Sequence, residues 1–250
     1  MDNETILRWN FINIVNNFFK KHYDGIQEDL FQIVTFANNN GDNFTKNILK
    51  TLLGKVFKDN DKYYCLIGAE RKENLGTIVY YESNNLLDWK FKGEIKTNFF
   101  GNGFMWECPD YIKFDNKGVL IFCPQGLKAK GDNYNNIFQA GYLVGDMINL
   151  TNCKFEHGEF YELDRGFDFY APQVFKDDKN RNILIGWMGL PEEEKNHDSN
   201  RYNWVHSLTM PRELSIRNNK LYQFPIKEIQ DLKEEKLFDL QDEKLDNIQI

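Results

Sequence analysis

In the stretch Gly103-Phe104-Met105-Trp106-Glu107-Cys108-Pro109-Asp110-Tyr111, one carboxylic acid, Glu107, sits between an apolar pair and a Cys-Pro step. Pro109 fixes its own φ, removes a backbone donor and steers Cys108 away from helical geometry. The segment therefore reads as a strand end or a rigid turn that holds Glu107 in a defined direction. Packing beside Met105 and Trp106 would desolvate the carboxyl and favour the protonated form that a general acid needs near neutral pH. The competing reading is a solvated surface Glu beside a core Trp, because Glu is rarely buried.

Other chemistry-bearing residues offer less. Cys65, Cys108, Cys123 and Cys153 lie far apart, with neither a zinc spacing nor a disulfide framework, and read as reduced thiols of a cytoplasmic protein. His22, His157, His197 and His206 show no ligand spacing. Asp177-Asp178-Lys179-Asn180 lacks the alternating ligands and terminal Glu of a calcium loop and reads as a hairpin turn. No metal and no cofactor are expected.

The elements that must position Glu107 read as strands. The aromatic share is 15%, high enough to favour a β-rich class. Three stretches share one plan of strand, polar turn and apolar strand: Val56 to Gly68, Tyr111 to Phe122 and Val174 to Trp187. Between them lie two further strand pairs, Thr77 to Glu94 and Ala140 to Glu159. A repeat of roughly 50–60 residues built from four short strands is the sequence form of a β-propeller blade. The expected fold is all-β, a partial five-bladed β-propeller with about three recognisable four-stranded blades. Residues 1–30 form a divergent N-terminal segment with a short helix, and residues 31–226 the incomplete propeller. Residues 227–250 are a linker or the start of a truncated C-terminal β-sandwich. A net charge of −7 argues against nucleic acid as a partner, and no apolar run approaches the roughly 20 residues of a membrane span.

Met105-Trp106-Glu107-Cys108-Pro109-Asp110 resembles a signature of glycoside hydrolase family 32, the β-fructofuranosidases, which include invertases and bacterial sucrose-6-phosphate hydrolases. Gly166-Phe167-Asp168-Phe169-Tyr170-Ala171-Pro172-Gln173 looks like the family's Asp-Phe-Tyr-Ala motif, and Ile185-Gly186-Trp187-Met188-Gly189 is similar to its following strand. Ser207 to Leu214, followed by Leu221-Tyr222-Gln223, resembles the family's end of the propeller. The resemblance implies a five-bladed propeller followed by a β-sandwich, and hydrolysis of terminal β-fructofuranosides such as sucrose or sucrose 6-phosphate with retention. It makes Glu107 the acid/base, with Trp106 and Cys108 shaping its surroundings. Asp168 and Tyr170 would line the fructose pocket, and Trp187 would be a further wall. Arg212-Glu213 reads as a structural ion pair.

Two family carboxylates have no counterpart. The nucleophile belongs to a Trp-x-Asn-Asp-Pro-Asn-Gly motif, and nothing in residues 1–54 resembles it. The third carboxylate lies in Arg-Asp-Pro, where this chain has Leu52-Leu53-Gly54. Without a covalent nucleophile the divided reaction loses its first step. The expectation is an inactive, truncated hydrolase domain. Its partners are a small carbohydrate and a missing N-terminal segment; a fructoside-binding module or a non-functional remnant are the alternatives.

Overall fold

The structure, a computed structural model, describes residues 55–85, 88–135, 137–166, 168–191, 201–202 and 207–232. The helix expected within residues 1–30, the Leu52-Leu53-Gly54 site and residues 233–250 lie outside the described residues. Two units are distinguished, Met1–Asp164 and Arg165–Ile250.

In the first unit, polar turns fold consecutive strands back on each other. β1 (Lys55–Asp59), β2 (Lys62–Arg71), β3 (Leu75–Ser83) and β4 (Lys90–Glu94) make one antiparallel sheet in sequential order. β5 (Met105–Phe114), β6 (Lys117–Gln125), β7 (Gly141–Gly145) and β8 (His157–Glu162) make a second. The β1–β2 and β5–β6 turns place Asn60 and Asp115 at φ 52° and 45°, a region that Asn and Asp tolerate.

β2 is apolar on both faces, which is why its sequence is a near-continuous apolar run. Tyr64 and Leu66 enter a core that also holds Trp106, Tyr111, Phe122 and Phe160 from the second sheet or its loops. Cys65 and Ala69 join a smaller cluster with Val79 and Tyr81 on the opposite face. Burial pushes the Cys65 thiol up to about 12, so it behaves as a small apolar residue. All four cysteines are free thiols.

The two sheets meet where β2 crosses β5. A Cβ placed on Gly68 would lie 1.9 Å from the Trp106 carbonyl oxygen, so only glycine permits this approach. Nearby, the Lys55 ammonium lies 2.9 Å from the fully buried Asp110 carboxylate, tying β1 to β5.

The second unit is one sheet built around β10 (Asn182–Met188). β9 (Tyr170–Lys176) pairs along one side of it. On the other side, β11 (Ser207–Leu208) pairs with Trp187 and Met188, and β12 (Arg212–Arg217) with Ile183 and Leu184. The β11–β12 position is one strand interrupted at Thr209-Met210-Pro211, because Pro211 cannot donate to the ladder. β13 (Lys220–Pro225) completes the sheet beside β12 through a turn with Asn218 and Asn219 both at positive φ. The described chain is all-β, with sheets of four antiparallel strands and a four-position sheet whose third strand is broken.

Arg212 and Glu213 do not pair with each other as expected, because neighbours on a strand point to opposite faces. The Arg212 guanidinium lies 5.1 Å from the Phe169 ring centroid and donates to Gln223. Glu213 lies 3.6 Å from Arg181 instead. Arg181 also grips Glu228 with two donors at 2.9 and 3.1 Å, fixing the 3-10 helix Lys227–Leu232 to the β9–β10 turn. In that turn Asp177 accepts the backbone amides of Lys179 and Arg181, the work of a turn residue.

Hydrogen bonds from Arg181, then Lys179, lower the Glu228 carboxyl to about 2. A lowered carboxylate stabilises the fold above its ordinary value, and that contribution fades as pH falls toward the folded value. Lys227–Leu232 should therefore stay docked at pH 5 and release between about pH 4.5 and 2, as read by amide exchange at Ile229; docking unchanged at pH 2 would contradict the ion-pair account. For the sheet contact, Gly68→Ala should cost about 3 kcal/mol in urea unfolding. Gly158→Ala, where the nearest foreign atom is 3.8 Å away, should cost within about 0.5 kcal/mol.

Candidate functional site

Glu107 lies inside β5, not at its end. Counting back from the β5–β6 turn with regular pairing would set it opposite Pro124. Instead the register shifts, so that Glu107 faces Cys123 while Asp110 faces Ile121. Cys108 and Pro109 together oppose the single residue Phe122, a β-bulge, and Cys108 adopts φ 48°. The expected rigid turn is thus a kink within a continuous strand.

Trp106 does not flank the Glu107 side chain as expected. Trp106 is 1% exposed, its ring 4.8 Å from that of Phe122 and 5.6 Å from that of Phe99. Its indole nitrogen donates to the Asn102 carbonyl at 2.7 Å. Successive strand residues alternate faces, so Trp106 points into the core and away from the Glu107 side chain. It anchors the backbone. Glu107 is half-buried and accepts a 2.7 Å hydrogen bond from the Gln125 amide. The Cys108 thiol is half-buried at the kink.

Gln125 is a site residue that the sequence reading missed. It closes β6 two residues beyond Cys123, which makes it a diagonal neighbour of Glu107 across the ladder. The signal was available only to a reader who allowed the extra residue at Cys108-Pro109.

Asp168, Tyr170 and Trp187 all lie in the second unit. Tyr170 and Trp187 are directly opposed on β9 and β10, with ring centroids 6.5 Å apart and planes at 64°. Tyr170 is 3% exposed, whereas Trp187 is half-buried and offers part of its indole to solvent. Asp168 is half-buried in the bend before β9. Such a constellation can present an apolar ring surface beside a carboxylate, suited to the mixed polar and C–H surface of a sugar. Glu107, Cys108 and Gln125 are brought together in the first unit, and Tyr170 and Trp187 in the second, with Asp168 two residues before Tyr170. Among the described residues, no group of three or more His, Cys, Asp or Glu side chains is gathered to hold a metal ion.

Residues 17–225 match the profile of the Glycosyl hydrolases family 32 N-terminal domain. The chain is 44% identical over 179 residues to the sucrose-6-phosphate hydrolase of Staphylococcus xylosus, covering 72% of this chain and 36% of that protein. It is 41% identical over 180 residues to the Bacillus subtilis sucrose-6-phosphate hydrolase, covering 70% of this chain and 37% of that one. The solved sucrose-6-phosphate hydrolase of Lactobacillus gasseri superposes with a TM-score of 0.66 at 36% identity, covering 72% of this chain and 37% of its own. A GH32 beta-fructofuranosidase from Bombyx mori also gives 0.66, at 34% identity, covering 72% of this chain and 38% of its own. The chain thus spans well under half the length of these relatives.

Proposed function

The chain belongs to glycosyl hydrolase family 32, and from that membership we propose that it is the acid/base-bearing segment of a retaining β-fructofuranoside hydrolase. The observation that carries this reading is Glu107 at a β-bulge, half-buried and held by the Gln125 amide at 2.7 Å. A carboxyl group fixed in direction yet reachable by solvent suits a residue that first protonates a leaving oxygen and then activates water. The sheets of four antiparallel strands support blades of an incomplete five-bladed propeller. Sucrose and sucrose 6-phosphate are the substrates that the relatives' names suggest. Four free thiols support a reducing, cytoplasmic setting.

Retaining chemistry requires a second carboxyl group roughly 5 Å from the first, acting as nucleophile. None of the motifs in this chain supplies it, so the chain alone does not turn over and a segment bearing the nucleophile has to complete the site. Asp168, Tyr170 and Trp187 supply a sugar-facing surface within the second unit.

A second reading, a fructoside-binding module without catalysis, is favoured by one feature. The Tyr170–Trp187 pair is assembled within the second unit and owes nothing to Glu107. Calorimetric titration of fructose into the purified chain should give weak binding, with a Kd on the order of 1 mM, or about −4 kcal/mol. Trp187→Ala should weaken it at least tenfold. A folded chain that releases no heat with fructose or sucrose has no sugar wall, and both readings of Trp187 then fail.

A further inference from the structure

We propose that Cys108-Pro109 and Ala171-Pro172 are two copies of one positioning device, a strained X-Pro bulge in which each unit sets the residue just before it, Glu107 or Tyr170, on its site face. The inference uses the fructoside reading for its purpose, but its geometry is independent of it.

The correspondence is residue by residue. In β5, Cys108 and Pro109 oppose Phe122; in β9, Ala171 and Pro172 oppose Gly186. Cys108 has φ 48° and Ala171 φ 44°, each a non-glycine residue in the left-handed region. Residues before proline ordinarily take extended conformations, so both positions are doubly disfavoured. Just beyond the bulges, Asp110 faces Ile121 and Gln173 faces Ile185. Just before them, Glu107 faces Cys123 and Tyr170 faces Trp187.

The extra residue changes the phase of the strand. Trp106 and Tyr111 share one core although they are five residues apart, a spacing that a regular strand would split between opposite faces. The same shift occurs in the second unit. Phe169 lies beneath Arg212, whose cross-strand partner Leu184 also faces Val174, so Phe169 and Val174 share a face at the same five-residue spacing. In each case the buried aromatic before the site residue packs on the single residue opposing the bulge. Trp106 lies against Phe122, and Phe169 occupies the space that a Gly186 side chain would fill, 2.3 Å from its Cβ position. With the aromatic and the following strand both locked inside, the intervening residue can face only the other way. That residue is Glu107 in one unit and Tyr170 in the other.

The surroundings hold each strained residue in place. Gly68 bears on the Trp106 carbonyl and Lys55 grips Asp110 on either side of Cys108. Gly186 donates its amide to the Thr209 hydroxyl at 3.0 Å and accepts from the Thr209 amide at 2.9 Å, opposite Ala171.

The test replaces Cys108 or Ala171 by glycine in the full chain. Either change removes the φ penalty and lets the bulge relax. The readout for Cys108→Gly is the Gln125 side-chain amide resonance, followed by NMR as Glu107 is titrated, with Glu107→Gln as the blank. A positioning role predicts that the titration shift falls at least twofold in Cys108→Gly while the folding equilibrium constant is unchanged or raised. An unchanged titration shift overturns the proposal. If Cys108→Gly does not fold, Ala171→Gly decides, read by the indole Nε1–H resonance of Trp187, which the Tyr170 ring shifts. Movement of that resonance supports the device and no movement overturns it. Neither readout needs sugar or turnover, so the fructoside reading can fail while this one stands, and the reverse.

Discussion

Everything at the Glu107 site depends on a mismatch between the period of a strand and the places where its side chains must go. Trp106 and Tyr111 both belong to the core, and five regular strand positions cannot deliver both to one face. One extra residue, accommodated as Cys108 and Pro109 opposite Phe122, resolves the conflict. Holding a non-glycine residue at φ 48° costs roughly 1–3 kcal/mol. Losing a buried Trp side chain from a core costs about 3–5 kcal/mol. Core burial therefore wins, and the strained residue persists beside the carboxylate whose direction it sets.

The same balance explains why so much around Glu107 is structural. Gly68 allows β2 to reach the Trp106 peptide, and Asp110 is buried against Lys55. Removing one partner of a buried ion pair is costly because the other charge is left uncompensated. Glu107 stands beside this frame, half-buried, and accepts the Gln125 amide. A half-buried carboxyl beside a rigid frame suits the proton transfer proposed for it. The second unit repeats the frame with Tyr170 in the equivalent position, so one device orients a carboxylate in one sheet and an aromatic ring in another.

The hairpins were legible in the sequence because their turns are chemically distinct. Asn60, Asp115 and Asn180 all adopt positive φ between apolar strands, and Asn and Asp are the residues that tolerate it. Glu107 was legible from its motif, and Tyr170 and Trp187 from theirs. Less visible was anything that depends on phase. The expected packing of Trp106 beside Glu107 ignored the alternation of faces, and the expected Arg212–Glu213 pair ignored it again. Gln125 was missed because regular counting from the turn places Pro124, not Cys123, opposite Glu107. Cys-Pro and Ala-Pro announce rigidity, but whether such a step ends a strand or bulges within it is decided by what must be buried on either side.

As proposed, this chain supplies the acid/base of a retaining fructosidase but not the nucleophile. The most direct measurement is fructose release from sucrose and from sucrose 6-phosphate, by the chain alone and mixed with a separately expressed first-blade segment of a family 32 relative bearing the nucleophile motif. Glu107→Gln is run in parallel. The expected result is no release by the chain alone, release on mixing, and loss of that release in Glu107→Gln. Any fructose release by the chain alone would contradict this, because the nucleophile would then lie within it, and release that survives Glu107→Gln would place the acid elsewhere as well.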